Sequence, residues 1–160
     1  MNDDARTLLL CYDGSEQATH AVTVTAALFP GAQTLVLNVW EPIERIVARY
    51  AVLVPFMGEE LGDADRGVET EAGKLAAAGA ALATQAGLTA SPLTAEIETT
   101  VWGAVLDVAD EVGADVIITG TRSLHGLREM VADTLSHALI QHSKLPVLAI
   151  PAAAANPAGS

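Results

Sequence analysis

Thr7-Leu8-Leu9-Leu10-Cys11-Tyr12, running at once into Asp13-Gly14-Ser15, is the stretch whose reading decides the fold. Six residues without helical spacing, ending in a turn, describe a strand buried on both faces. Ser15 or Asp13 can cap the next helix. Ala18, Ala21, Val22, Thr25, Ala26 and Phe29 then recur at three- and four-residue spacing until Pro30-Gly31 stops that helix.

The same strand-to-helix step repeats along the chain. Thr34 to Trp40 reads as strand two, Val116 to Thr119 as strand four and Val147 to Ile150 as strand five. Helical spacing is found at about 66–87, 102–113 and 129–142. Strand three has the weakest pattern, an alternating stretch from Thr94 to Thr99 with Glu96 and Glu98 on one face, and an edge position is one option for it. Such alternation, with connections long enough to cross over, implies an α/β fold: a doubly wound five-stranded parallel sheet with helices on both faces.

The segment from Glu41 to Asp65 interrupts the rhythm with Pro42, Pro55, Gly58 and Gly62, and joins an apolar stretch, Ala51 to Met57, to the acidic cluster Glu59, Glu60, Asp63 and Asp65. We read it as a long mobile connection over the strand ends, with a short helix near Ile43 to Arg49. Residues 1–150 are expected to form one domain. Pro151 to Ser160, rich in Ala, Pro and Gly, is expected to be a disordered tail.

Composition narrows the function classes. Hydrophobic residues make up 51% of the 160, charged residues 18%, and the mean hydropathy of +0.36 fits a globular chain. With 8 Lys+Arg against 20 Asp+Glu the formal net charge is −12, so the averaged field repels nucleic-acid backbones and anionic membranes. The single Cys11 sits in an apolar run and reads as a buried thiol in a reducing cytoplasm. The acidic start Met1-Asn2-Asp3-Asp4 argues against export, and no apolar run is long enough to span a membrane.

In an open parallel sheet, ligands bind beyond the carboxyl ends of the strands where the winding reverses. Two turns therefore stand out. At the end of strand one, Asp13 can accept a hydrogen bond from a base or ribose, or can cap the next helix, with Gly14 allowing the sharp turn and Ser15 beside it. After strand four, Gly120-Thr121-Arg122-Ser123 leads through Leu124-His125-Gly126 to a helix carrying Asp133-Thr134. Backbone N–H groups of a small-residue turn can cradle phosphate there, with Arg122, Ser123, Thr134 and Ser136 as further donors. The four histidines, His20, His125, His137 and His142, form no i,i+4 pair for a metal, and no nucleophile with a neighbouring base is legible, so neither a metal site nor an enzyme is expected.

Asp13-Gly14-Ser15, the run Gly-Ala-Asp-Val-Ile-Ile-Thr-Gly-Thr-Arg at 113–122 and the closing Ser143-Lys144-Leu145-Pro146-Val147-Leu148 together resemble a universal stress protein domain over roughly residues 5–150. The resemblance implies a Rossmann-like, adenine nucleotide alpha hydrolase-like fold with strand order 3-2-1-4-5, a homodimer and a cytoplasmic role in stress survival. It also implies ATP or a related adenine nucleotide, AMP or a cyclic nucleotide among them, as ligand. On this chain the nucleotide set that the resemblance implies is Asp13, Gly14, Ser15, Val39, Gly120, Arg122, Ser123, Gly126, Asp133, Thr134 and Ser136. The expected dimer interface is the last strand, Pro146, Val147, Leu148, Ala149 and Ile150.

The family's phosphate motif, Gly-x2-Gly-x9-Gly-(Ser/Thr), falls on Gly120, Ser123, Asp133 and Thr134. Ser123 and Asp133 replace glycines, and Asp133 adds negative charge where the motif brings backbone to phosphate. Like charges about 4 Å apart cost on the order of 4 kcal/mol at an intermediate dielectric, unless a magnesium ion bridges them. Thr99-Thr100-Val101-Trp102 stands where many members have a Gly-Asp-Pro-Ala turn, and Trp102 is read as filling space that a ligand or loop occupies elsewhere. On these residues the expectation is a homodimer with a partly degenerate nucleotide cleft that works through an unidentified protein partner. A nucleotide-binding sensor is the alternative.

Overall fold

The computed structural model describes residues 6–49, 61–121 and 135–153, with only the backbone path given for 61–65. Leu8, Leu9 and Leu10 have no solvent exposure at all, so β1 (Thr7–Cys11) is covered on both faces. Alternate side chains of β1 feed two separate cores, as the pleat of a strand requires. Leu8 and Leu10 meet Ala18, Ala21, Val22 and Ala26 of α1 (Glu16–Leu28) and Ala80 and Ala83 of α3 (Leu61–Gln85). Leu9 faces Val105, Val108 and Ala109 of α4 (Val101–Val112) and Leu139 of α5 (Leu135–His142).

The two neighbouring strands divide their side chains in the same way. Val36 of β2 (Gln33–Trp40) joins the first core and Leu37 the second. In β4 (Val116–Thr121) Ile118 and Ile117 do likewise. With β3 (Thr89–Glu96) and β5 (Val147–Pro151) the sheet has five parallel strands in the order β3-β2-β1-β4-β5. This is the doubly wound α/β fold expected from the strand-to-helix alternation.

Several boundaries differ from the sequence reading. β3 begins at Thr89 rather than Thr94 and ends at Glu96 rather than Thr99. It pairs only with β2, from Gln33↔Thr89 to Trp40↔Glu96, and being an edge it needs no continuous apolar run. Pro92, which lacks an N–H, is tolerated on such an edge and hides the strand from a pattern search. β4 runs on to Thr121, so Gly120 and Thr121 belong to the strand and not to the turn after it.

The expected long connection over 41–65 contains regular structure at both ends. Its first part is the helix α2 (Ile43–Arg49), as expected, and its last residues, 61–65, already belong to α3. Residues 50–60 lie outside the described residues, as does 154–160 of the expected tail, whereas Pro151 closes β5. α2 is tied down by Arg45, which pairs with Glu96 at 3.1 Å and donates to the Ile97 carbonyl, and by the Arg49–Glu41 ion pair. These contacts hold α2 beside the carboxyl ends of β2 and β3. Such exposed pairs contribute about 0–1 kcal/mol each, so they fix position more than stability.

Candidate functional site

The chain leaves β1 through a turn built from its own side chains. Ser15 is the N-cap of α1, its hydroxyl accepting from Ala18 N–H at 3.1 Å, and Asp13 Oδ1 accepts from Ser15 N–H at 3.0 Å. Of the two capping candidates, Ser15 takes the helix end. Asp13 remains exposed at the strand exit with one carboxylate oxygen committed to the turn. Gly14 has φ +79°, and a Cβ on it would come within 2.9 Å of Leu75 Cδ2 on α3. The left-handed turn is what calls for glycine at this position, since the Leu75 methyl belongs to a partly exposed side chain that can move aside.

Beside the turn, the ends of β1 and β2 are locked together. Tyr12 N–H donates to the Leu37 carbonyl at 2.8 Å, and the buried Asn38 donates from Nδ2 to the Tyr12 carbonyl, also at 2.8 Å. A polar residue inside the apolar run Leu35-Val36-Leu37-Asn38-Val39 is the signal that sequence reasoning passed over. Buried polar groups persist where they are hydrogen-bonded, and Asn38 replaces a ladder bond that the departing chain no longer makes.

A groove of about 600 Å³ opens here. One side is formed by Asp13 and by Asn38, Val39 and Trp40 of β2, the other by Gly67, Val68, Glu71, Ala72 and Leu75 of α3. The structure thus brings Asp13 and Val39 of the expected set together. It adds a whole wall, from α3, that no motif marked. The groove lies on the β2 side of the switch point between β1 and β4.

Gly120 behaves differently from its sequence reading. It stands in β4 without a positive φ, and a Cβ built on it would lie 2.7 Å from the Gln17 carbonyl oxygen and 3.3 Å from the Ala18 nitrogen. Its visible role is to let β4 pass the first turn of α1. Ser136 is buried in α5 and has a polar partner of its own. Arg122, Ser123, His125, Gly126, Asp133 and Thr134 lie outside the described residues.

Trp102 also has a structural explanation. Its ring stacks on His142 of α5 with centroids 4.2 Å apart and planes 14° from parallel, and it packs against the second core rather than lining the groove. Cys11 packs on that same core. Burial, with the charge of Asp13 adding to it, pushes its thiol from 9.0 up to about 12, so it stays protonated and is a poor nucleophile at neutral pH.

A model of the universal stress protein family matches residues 5–151. The chain belongs to the universal stress protein family. Solved universal stress proteins share its fold at low sequence identity. One from Burkholderia pseudomallei is 22% identical with a TM-score of 0.67, the match covering 95% of this chain and 100% of that one. A family member from Arabidopsis thaliana, solved with AMP bound, is 14% identical with a TM-score of 0.63 and 93% coverage of both chains. One from Archaeoglobus fulgidus, solved in complex with dAMP, is 16% identical with a TM-score of 0.56, covering 91% of this chain and 96% of that one. A search of curated proteins found no significant match. Within the family frame, Asp13 and Val39 are the expected ligand residues that the groove unites. Of the phosphate-side positions, Gly120 packs closely on the first turn of α1, Ser136 is buried in α5, and Arg122, Ser123, Gly126, Asp133 and Thr134 lie outside the described residues.

Proposed function

We propose that this universal stress protein binds an adenine nucleotide by its base and ribose in the groove between β1, β2 and α3, and that it acts as a ligand-responsive binding module rather than as an enzyme. The observation that carries the reading is the groove itself, which joins Asp13 and Val39 to an apolar lining of Trp40, Val68, Ala72 and Leu75. Its volume falls in the roughly 300–1,000 Å³ range of small-molecule sites. AMP and dAMP in the Arabidopsis and Archaeoglobus relatives support the ligand class.

The phosphate end is the degenerate part. Asp133 and Ser123 stand where the family motif has glycines, so each added phosphate meets charge and side chain instead of backbone N–H. AMP should therefore bind at least about tenfold more tightly than ATP, a difference of roughly 1.4 kcal/mol, in calorimetric titration with magnesium present. The double change Ser123→Gly and Asp133→Gly should close that gap. Tight ATP binding by the unmodified chain, weakened in the double variant, would mean that Asp133 works through a metal ion and would reverse this reading of the phosphate end.

The ligand signal passes to a protein partner from a homodimer. β5 is an edge strand with β4 as its one neighbour in the sheet, and Val147, Leu148 and Ala149 keep part of their surface exposed. An apolar edge of this kind pairs readily with a second copy about a two-fold axis, burying Pro146 to Ile150. Light scattering should give a dimer mass at micromolar concentration, and a monomer mass would remove the proposal. No helix among the described residues is long and apolar enough to cross a membrane. A cytoplasmic site of action is part of the same proposal.

A further inference from the structure

Two carboxylates face the groove, and they belong to elements far apart in the chain. Asp13 sits at the exit of β1 and Glu71 on the wall formed by α3. Among the described residues lining the groove they are the only charged ones, and the residues between them are mostly apolar. Glu71 is held by Lys74 one turn along α3, whose ammonium donates to Oε1 at 2.7 Å, leaving the second oxygen for another donor. Leu75 on α3 reaches the turn at Gly14, next to Asp13, so the two acids stand on walls of the groove that approach each other there.

We propose that Glu71 is a specificity-determining residue that accepts the ribose hydroxyls of the bound nucleotide, so that the groove selects an intact vicinal diol. The proposal rests on the nucleotide reading of the groove. Ionised carboxylates only accept hydrogen bonds, so the polar recognition these two groups supply is for donors. An adenine nucleotide presents donors at two separated places, the exocyclic amine of the base and the 2′,3′-diol of the ribose, while its phosphates offer none. Asp13 takes the amine. A vicinal diol then turns its two O–H groups toward Glu71, where bonds to a charged acceptor are stronger than neutral ones.

The experiment is a calorimetric titration of the full chain with AMP and with 2′,3′-dideoxy-AMP, on the unmodified protein, Glu71→Gln and Glu71→Leu. The unmodified protein should favour AMP over the dideoxy analogue about tenfold, the scale of one lost charged hydrogen bond. Glu71→Leu should weaken AMP by about the same factor and leave the dideoxy analogue within about twofold, with Glu71→Gln in between. Thermal melts of all three proteins report folding separately, and Glu71 is exposed enough that melting should hardly move. Equal loss for both ligands, or equal binding of both by the unmodified protein, overturns the role of Glu71 while leaving the nucleotide reading in place. No binding of AMP at all overturns both.

Discussion

Gly120→Ala is expected to destabilise the protein by about 3 kcal/mol, at the upper end of ordinary overpacking costs. The added Cβ would sit 2.7 Å from the Gln17 carbonyl oxygen and 2.9 Å from its carbonyl carbon. These are backbone atoms of the first turn of α1, which no rotamer change can move. Either α1 or β4 must shift, and between them lie Ala18, Ala21 and Ile118, all buried in the first core. The informative comparison is Gly73→Ala on α3, where a Cβ meets nothing within 4 Å and helix propensity alone should add up to about 1 kcal/mol. Urea denaturation of the ligand-free proteins measures both. A Gly120→Ala variant as stable as the parent would remove the steric argument for glycine here.

Gly67→Leu should abolish measurable AMP binding, a loss of at least about a hundredfold or 2.7 kcal/mol, while raising stability. Gly67 lines the groove from within α3, and a Cβ there meets nothing within 4 Å. A leucine side chain at this lining position has open space beside it and is expected to compete with the ligand for the groove. Replacing glycine inside a helix is favourable by roughly 0.5–1 kcal/mol, so binding and stability move in opposite directions. That opposition separates a blocked site from a damaged fold. Gly73→Ala, stabilising and outside the lining, should keep full affinity. Retained AMP binding in a folded Gly67→Leu protein would place the ligand elsewhere than this groove.

The two variants also mark where the sequence stops being informative. Gly120 reads as a phosphate-turn glycine as long as strand four is expected to end at Thr119. The structure carries the strand through Thr121, and the glycine is explained by its distance to Gln17. That distance depends on how α1 returns across the sheet, which no window of sequence around residue 120 contains. Gly67 gives no signal in the sequence, since an isolated glycine in a helical pattern has no meaning until its facing partner is known.

Local pattern was enough for whatever is decided within one element. The unbroken Leu8-Leu9-Leu10 run required cover on both faces, and two separate cores supply it. A cap at Ser15 or Asp13 was legible, and chain geometry gives it to Ser15, whose hydroxyl lies three residues before Ala18 N–H. The edge position of β5 came with the strand order that the family resemblance implies, while the edge strand β3 was misplaced because one-sided pairing let it be polar and carry Pro92. Asp13 could be singled out because it follows the end of a strand, where this fold places polar side chains beside a cleft, and the structure does place it on the groove lining. Its counterpart wall, Val68, Glu71, Ala72 and Leu75, was decided only by the tertiary structure. Helical periodicity fixes which residues share a face, but the rotation and distance at which α3 lies against β1 and β2 come from close packing of small residues such as Ala76 and Ala80 on the sheet, a property of both surfaces together.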